Sequence, residues 1–295
     1  MSGAVKRFRA ADGLSLAFRD EGEGLPVLCL AGLTRTMDDF DRLAAILLPR
    51  HRVIRMDARG RGASDRAPDP AQYAVPQEAA DALALLDHLG VEGAVFIGTS
   101  RGGLLTMTIA ATAPERVLGA VLNDVGPVLS PEGLARIVEY VGRTPPARTI
   151  KEAAAALRAA MGAGFPGLSD AEWEEIARGN LEETPDGLRL RYDPRLREAL
   201  LEQAKMLAEG AEKGMPPPDL WPLFEALRGR PVLALRGENS DILSPGTLAE
   251  MQRRMPEMKA VTVKNRGHVP FLDEPEAVAA IEALLAEVEA RGRGG

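Results

Sequence analysis

From Pro26 onward, wholly apolar runs of strand length alternate with segments of helical periodicity, and few architectures accommodate that rhythm. Residues 26–31 are continuously apolar, as suits a strand covered on both faces. A helical stretch over 37–48 follows, then strand 52–57, helix 76–89, strand 94–98, helix 101–112 and strand 117–124. Strands alternating with helices make βαβ units, so the expected fold class is α/β with a mostly parallel, doubly wound sheet. Two shorter strand-like segments, 5–9 and 14–19, flank Asp12-Gly13, a hairpin signal. The alternation stops at Val125-Gly126-Pro127. Residues 128–228 read as helix-rich, with helical patterns over 134–141, 150–161, 170–181 and 194–209 and one extended piece at 188–192. Strand 231–236, helix 245–255, strand 260–264 and helix 274–289 then resume the rhythm. The expected organisation is a core of residues 1–127 and 229–295, interrupted after its sixth strand by a helical cap at 128–228.

Composition narrows the function classes. A net charge of −7 opposes general binding to a phosphate backbone, and 4% aromatics leave few stacking platforms. No nucleic-acid partner is expected. No stretch approaches the ~20 apolar residues that span a bilayer, and residues 1–10 lack the apolar core of a signal peptide. A cytoplasmic location without membrane association is the expectation. The single cysteine, Cys29, lies inside an apolar run and reads as a small buried hydrophobe. The turn Ala31-Gly32-Leu33 holds no phosphate-binding glycine cluster, which argues against a nucleotide-binding protein. Neither a cofactor nor a metal is expected.

Gly98-Thr99-Ser100-Arg101-Gly102 stands between an apolar strand and an apolar-periodic helix, the context of a nucleophile elbow. So tight a turn tolerates only glycine two residues before and after the serine. Read blandly, Ser100 would merely cap the helix. A serine hydroxyl is a weak nucleophile and needs a base. Of the three histidines, His51 lies between two arginines and reads as solvated, and His88 falls in the last turn of a helix. His268 follows the last strand, in Asn265-Arg266-Gly267-His268-Val269-Pro270, at the carboxyl end where open α/β sheets host their sites. It is the expected base. Asp241, in Gly237-Glu238-Asn239-Ser240-Asp241, follows the preceding strand and is the expected orienting acid. Glu238 stands nearer that strand, and Asp124, ending the sixth strand, is a competitor. Asp124 could instead anchor Val125-Gly126-Pro127 or contact substrate. The tetrahedral intermediate of such a reaction also needs an oxyanion hole. The backbone N–H groups of Arg101 and Leu33 are the candidate donors. Arg35 and Arg101 flank the site in sequence and are candidates to receive a substrate carboxylate, or else to pair with aspartates.

These motifs together resemble the α/β-hydrolase superfamily with a helical cap, over about residues 14–290. The order Ser100, Asp241, His268 matches that family's order, and residues 57–65, Asp-Ala-Arg-Gly-Arg-Gly-Ala-Ser-Asp, look like its D-x-R-G-x-G-x-S-D loop. Residues 237–245 look like its acid loop. One departure is Ala31-Gly32, where the family usually has His-Gly. The resemblance implies a serine hydrolase acting on a small-molecule carboxylic ester or related acyl substrate. Serine at the elbow disfavours dehalogenase and epoxide-hydrolase chemistry, which use aspartate there. It leaves a C–C bond hydrolase or an enol-lactonase as alternatives. A non-catalytic ligand receptor of the same fold would be signalled by a lost site residue, and none is lost here.

Overall fold

The computed structural model describes residues 3–128 and 130–292. Eight strands form one sheet in the order β1-β2-β4-β3-β5-β6-β9-β10. They are β1 (Lys6–Arg9), β2 (Ser15–Glu21), β3 (Leu25–Leu30), β4 (His51–Met56), β5 (Ala94–Thr99), β6 (Val117–Asn123), β9 (Val232–Gly237) and β10 (Lys259–Val263). The pairs β1·β2 and β2·β4 are antiparallel, and every other pair is parallel.

The continuous apolar runs are explained by burial on two sides. Along β3, Val27 and Cys29 join one core cluster while Leu28 and Leu30 join the other. On the first side lie α1 (Asp41–Leu47) and α10 (Pro275–Gly292), contributing Leu43, Leu47, Ile281 and Leu285. On the second lie α2 (Val75–His88), α3 (Arg101–Thr112) and α9 (Pro245–Arg254), contributing Leu85, Ile109 and Met251. Burial pushes the Cys29 thiol up to about 12, as befits a packing residue.

Between β6 and β9 come α4 (Pro131–Tyr140), α5 (Ile150–Met161), α6 (Asp170–Asn180), the hairpin β7 (Leu181–Thr184) and β8 (Gly187–Leu190), α7 (Leu196–Glu212) and α8 (Trp221–Glu225). A separate apolar cluster built on Trp173, Ile150, Phe165, Leu181 and Leu196 holds this region together. Two features differ from the sequence reading. The hairpin replaces what reads as the end of a helix and an isolated extended piece. The segment around α8, which the expected boundary places in the insert, puts Phe224 and Leu227 into the core cluster beneath the sheet.

The strand register brings the carboxyl ends to one level. Leu30 pairs with Gly98, Thr99 with Asn123, Asn123 with Leu235 and Gly237 with Val263. The loops that leave these residues carry Gly32, Ser100, Asp124, Asp241 and His268.

Candidate active site

Ser100 is the first residue past β5, and the helix α3 begins directly after it. Its φ of 51° lies in the left-handed region, where a non-glycine residue is strained. The glycines on either side make the turn possible. A side chain on Gly98 would run into the backbone of Gly102 and Gly103, and one on Gly102 into the carbonyl of Leu30. Ser100 stands at the N-cap of α3, yet its side chain makes no capping hydrogen bond. It faces His268 instead, with Oγ 2.9 Å from Nε2.

On the other face of the imidazole the structure corrects the sequence reading. His268 Nδ1 lies 2.7 Å from Oδ2 of Asp124, not of Asp241. Asp124 is the first residue past β6, the strand next to Ser100's, and is fully buried. Its backbone N–H donates to the Leu235 carbonyl at 2.8 Å. Its carboxylate accepts from the Gly237 N–H at 2.8 Å and from the Ser240 hydroxyl at 2.6 Å. Those two donors belong to the loop expected to supply the acid. The loop closes a turn, with Ser240 N–H donating to the Gly237 carbonyl at 2.9 Å. Asp241 emerges beyond that turn, 41% exposed, and pairs with Arg136 of α4. Its segment therefore holds Asp124 in place, while Asp241 itself faces away from His268. The second expectation for Asp124, a substrate contact, is also corrected, because both its oxygens are occupied within the protein.

The His268 loop is tied down from several sides. Asn123 Nδ2 donates to the Pro270 carbonyl at 3.0 Å and to Thr99 Oγ1 at 3.1 Å. Glu274 accepts from the Phe271 and Leu272 N–H groups, both at 2.9 Å. Phe165, between α5 and α6, packs against Gly267 and stacks on Phe271 with centroids 5.7 Å apart. Asn239 donates to the Gly164 carbonyl at 3.2 Å.

The candidate oxyanion loop also lies beside Ser100: a Cβ on Gly32 would sit 3.9 Å from that of the serine. Arg35 N–H donates to the Gly32 carbonyl at 3.1 Å. In a trans peptide this turns the Leu33 N–H the opposite way. At the elbow, Arg101 N–H is among the first of α3 and has no carbonyl within the helix to meet.

Neither arginine expected to take a substrate carboxylate is free to do so. Arg35 is engaged by both oxygens of Asp39, each at 2.7 Å, and its third nitrogen donates to the Ile176 carbonyl of α6 at 3.2 Å. Arg101 Nε donates to Glu78 at 2.6 Å and Nη2 to the Tyr73 carbonyl at 2.6 Å. Both bind protein because each lies in a crowded setting where an unpaired charge is costly. Of the other histidines, His51 is buried at the amino end of β4, not solvated, and His88 packs on Phe8 and Phe18. Among the described residues, no three or more His, Cys, Asp or Glu side chains converge on a metal position. None of the described helices is long and apolar enough to cross a membrane.

A sheet of this order, an elbow serine and a histidine loop after the last strand define the class. Residues 26–275 match the model of the alpha/beta hydrolase fold family, and the chain belongs to that family. It is 36% identical over 257 residues to the 3-hydroxybutyrate-oligomer hydrolase of Cupriavidus necator, covering 86% of this chain and 85% of that protein. It is 26% identical over 277 residues to the 2-(acetamidomethylene)succinate hydrolase of Mesorhizobium japonicum, covering 94% and 92%. Among solved structures, an alpha/beta hydrolase from Novosphingobium aromaticivorans superposes with a TM-score of 0.85 at 44% identity, covering 96% of this chain and 98% of that one.

Proposed function

We propose that the protein hydrolyses a small carboxylic ester through an acyl-enzyme, with Ser100 as nucleophile, His268 as base and Asp124 as orienting acid. One observation carries this reading: an unbroken hydrogen-bonded chain from Ser100 Oγ through both imidazole nitrogens to a buried carboxylate. His268 Nε2 accepts the serine proton as Oγ attacks the acyl carbon, and Asp124 holds the tautomer that leaves Nε2 free. The same proton then passes to the departing alcohol. Water, deprotonated by His268, releases the acid and restores the serine. The N–H groups of Leu33 and Arg101 receive the tetrahedral oxyanion. Residues 128–219 serve as a cap over this site. Its contacts with the oxyanion loop, through Arg35 and Ile176, and with the histidine loop, through Phe165 and Gly267, support that role.

Within ester substrates, short oligoesters of hydroxy acids fit best, given the 36% identity to an oligomer hydrolase. The carboxylate end of such an oligoester, like an acidic substrate of the kind named for the Mesorhizobium relative, would meet Arg35 and Arg101 already paired. Turnover of 3-hydroxybutyrate dimer and trimer, beside p-nitrophenyl esters, an enol-lactone and a β-diketone, tests the reading. Ester cleavage abolished by Ser100→Ala is the expected result. Cleavage confined to the lactone or diketone would transfer the same residues to the alternative chemistry.

A further inference from the structure

We infer that Glu78 is a positioning residue that locks both halves of the oxyanion hole through two buried arginines. The inference rests on the proposed serine chemistry and extends it to a residue remote from the reacting atoms. Glu78 lies on α2, away from the elbow and from the loop after β3. Its side chain is buried, with each oxygen taken by a different guanidinium. Oε2 accepts from Arg101 Nε at 2.6 Å and Oε1 from Arg61 Nη1 at 2.6 Å. Arg101 carries one candidate oxyanion N–H on its own backbone. Arg61 Nε donates to the carbonyl of Leu33, the residue that carries the other, at 2.8 Å. The connection therefore runs from Leu33 through Arg61, Glu78 and the Arg101 side chain to the Arg101 backbone. Donors on two separate loops are held at a fixed spacing by one carboxylate.

The charge balance points the same way. Two guanidiniums share one carboxylate, so the cluster carries one surplus positive charge in a buried setting. The remaining partners are neutral: the carbonyls of Tyr73 and Arg59, and the Tyr73 ring, 5.5 Å below the Arg61 guanidinium. The nearby Arg59 is separately engaged by Asp81 and Asp12. Burial alone would raise the Glu78 carboxyl, but Arg101 and Arg61 override it and hold the group below the usual carboxylate range. Arg61 Nη2 is buried with no hydrogen-bond partner. Apolar residues would fill such a space at less cost, so stability does not explain the cluster. What the cluster supplies instead is a fixed link between the loop after β3 and the elbow, through the Leu33 carbonyl and the Arg101 side chain.

Glu78→Gln in the full-length protein keeps the shape but removes the shared charge and one acceptor. The test measures kcat and KM for p-nitrophenyl butyrate, and Ki for butylboronic acid, whose serine adduct is a tetrahedral anion. The expected result is a kcat lower by ~100-fold, the scale of losing one oxyanion donor, with KM within about threefold. The boronate Ki should rise by about the same factor as kcat falls, which a merely structural role would not produce. Arg61→Met carries the same test if the glutamine variant fails to fold, since it leaves Glu78 paired with Arg101. It should show the same parallel change in kcat and Ki. A folded variant with kcat and Ki near parental values overturns the inference, as does a loss confined to KM. Ser100→Ala separates the two readings. If it is inactive while Glu78→Gln is unaffected, only the role of Glu78 fails; if it stays active, both fail.

Discussion

The residues that bracket His268 are both held in left-handed backbone, Ser100 at φ 51° and Asp124 at φ 58°. Such positions cost of the order of 1–3 kcal/mol each, and here the strain aims two side chains at one imidazole from neighbouring strands. Asp124→Asn should preserve the packing but favour the wrong histidine tautomer, lowering kcat by ~10⁴ as the corresponding change does in serine proteases. Asp241→Asn should leave kcat within a few-fold, because it loses only an exposed ion pair with Arg136. Steady-state kinetics of the two variants decide the acid; a larger loss at Asp241 would reverse the assignment. Ser100 and His268 stand out in the sequence because each follows a strand pattern, Ser100 with glycine two residues to either side and His268 directly after Gly267. Asp124 was visible only as a competitor. Its advantage is depth, one residue past its strand where Asp241 is four past, and the turn that diverts Asp241 is closed by hydrogen bonds that no sequence pattern displays.

At the scale of elements, the sheet and its flanking helices follow directly from period and apolar content, and α3 and α5 occupy the spans their patterns mark. The region between β6 and β9 is less legible because half-buried faces dilute the pattern. The hairpin β7–β8 left a signal in Pro185-Asp186-Gly187, a turn sequence, but Leu181 reads as the end of the helix over 170–181, and Glu182-Glu183-Thr184 carries no strand alternation of apolar residues. By contrast, α6 announces its start. Ser169 accepts from the Glu172 N–H while the Glu172 carboxylate accepts from the Ser169 N–H, a reciprocal cap. Ser169→Ala should therefore lower unfolding stability by about 1 kcal/mol, read from urea denaturation. No change would mean that packing of Trp173 alone holds the helix.

For the whole molecule, the core is closed on both sides of the sheet and the buried region takes in His51 at the amino end of β4. Burial, against the pull of Glu289, lowers the His51 pKa below 6.5. The unfolded chain therefore takes up that proton more readily than the folded one. The resulting stability is complete above pH 6.5 and is lost as pH falls toward the lowered folded value. His51→Gln should flatten the dependence of unfolding free energy on pH just below 6.5, and an unchanged slope would refute this. In the proposed reaction, all of the chemistry of this molecule passes through Ser100. The most direct measurement is the mass of the intact protein after reaction with a fluorophosphonate, followed by peptide mapping. One adduct per chain is expected, on the peptide that contains Ser100, absent in Ser100→Ala and formed much more slowly in His268→Ala. Labelling of another residue, or equal labelling in Ser100→Ala, would contradict it.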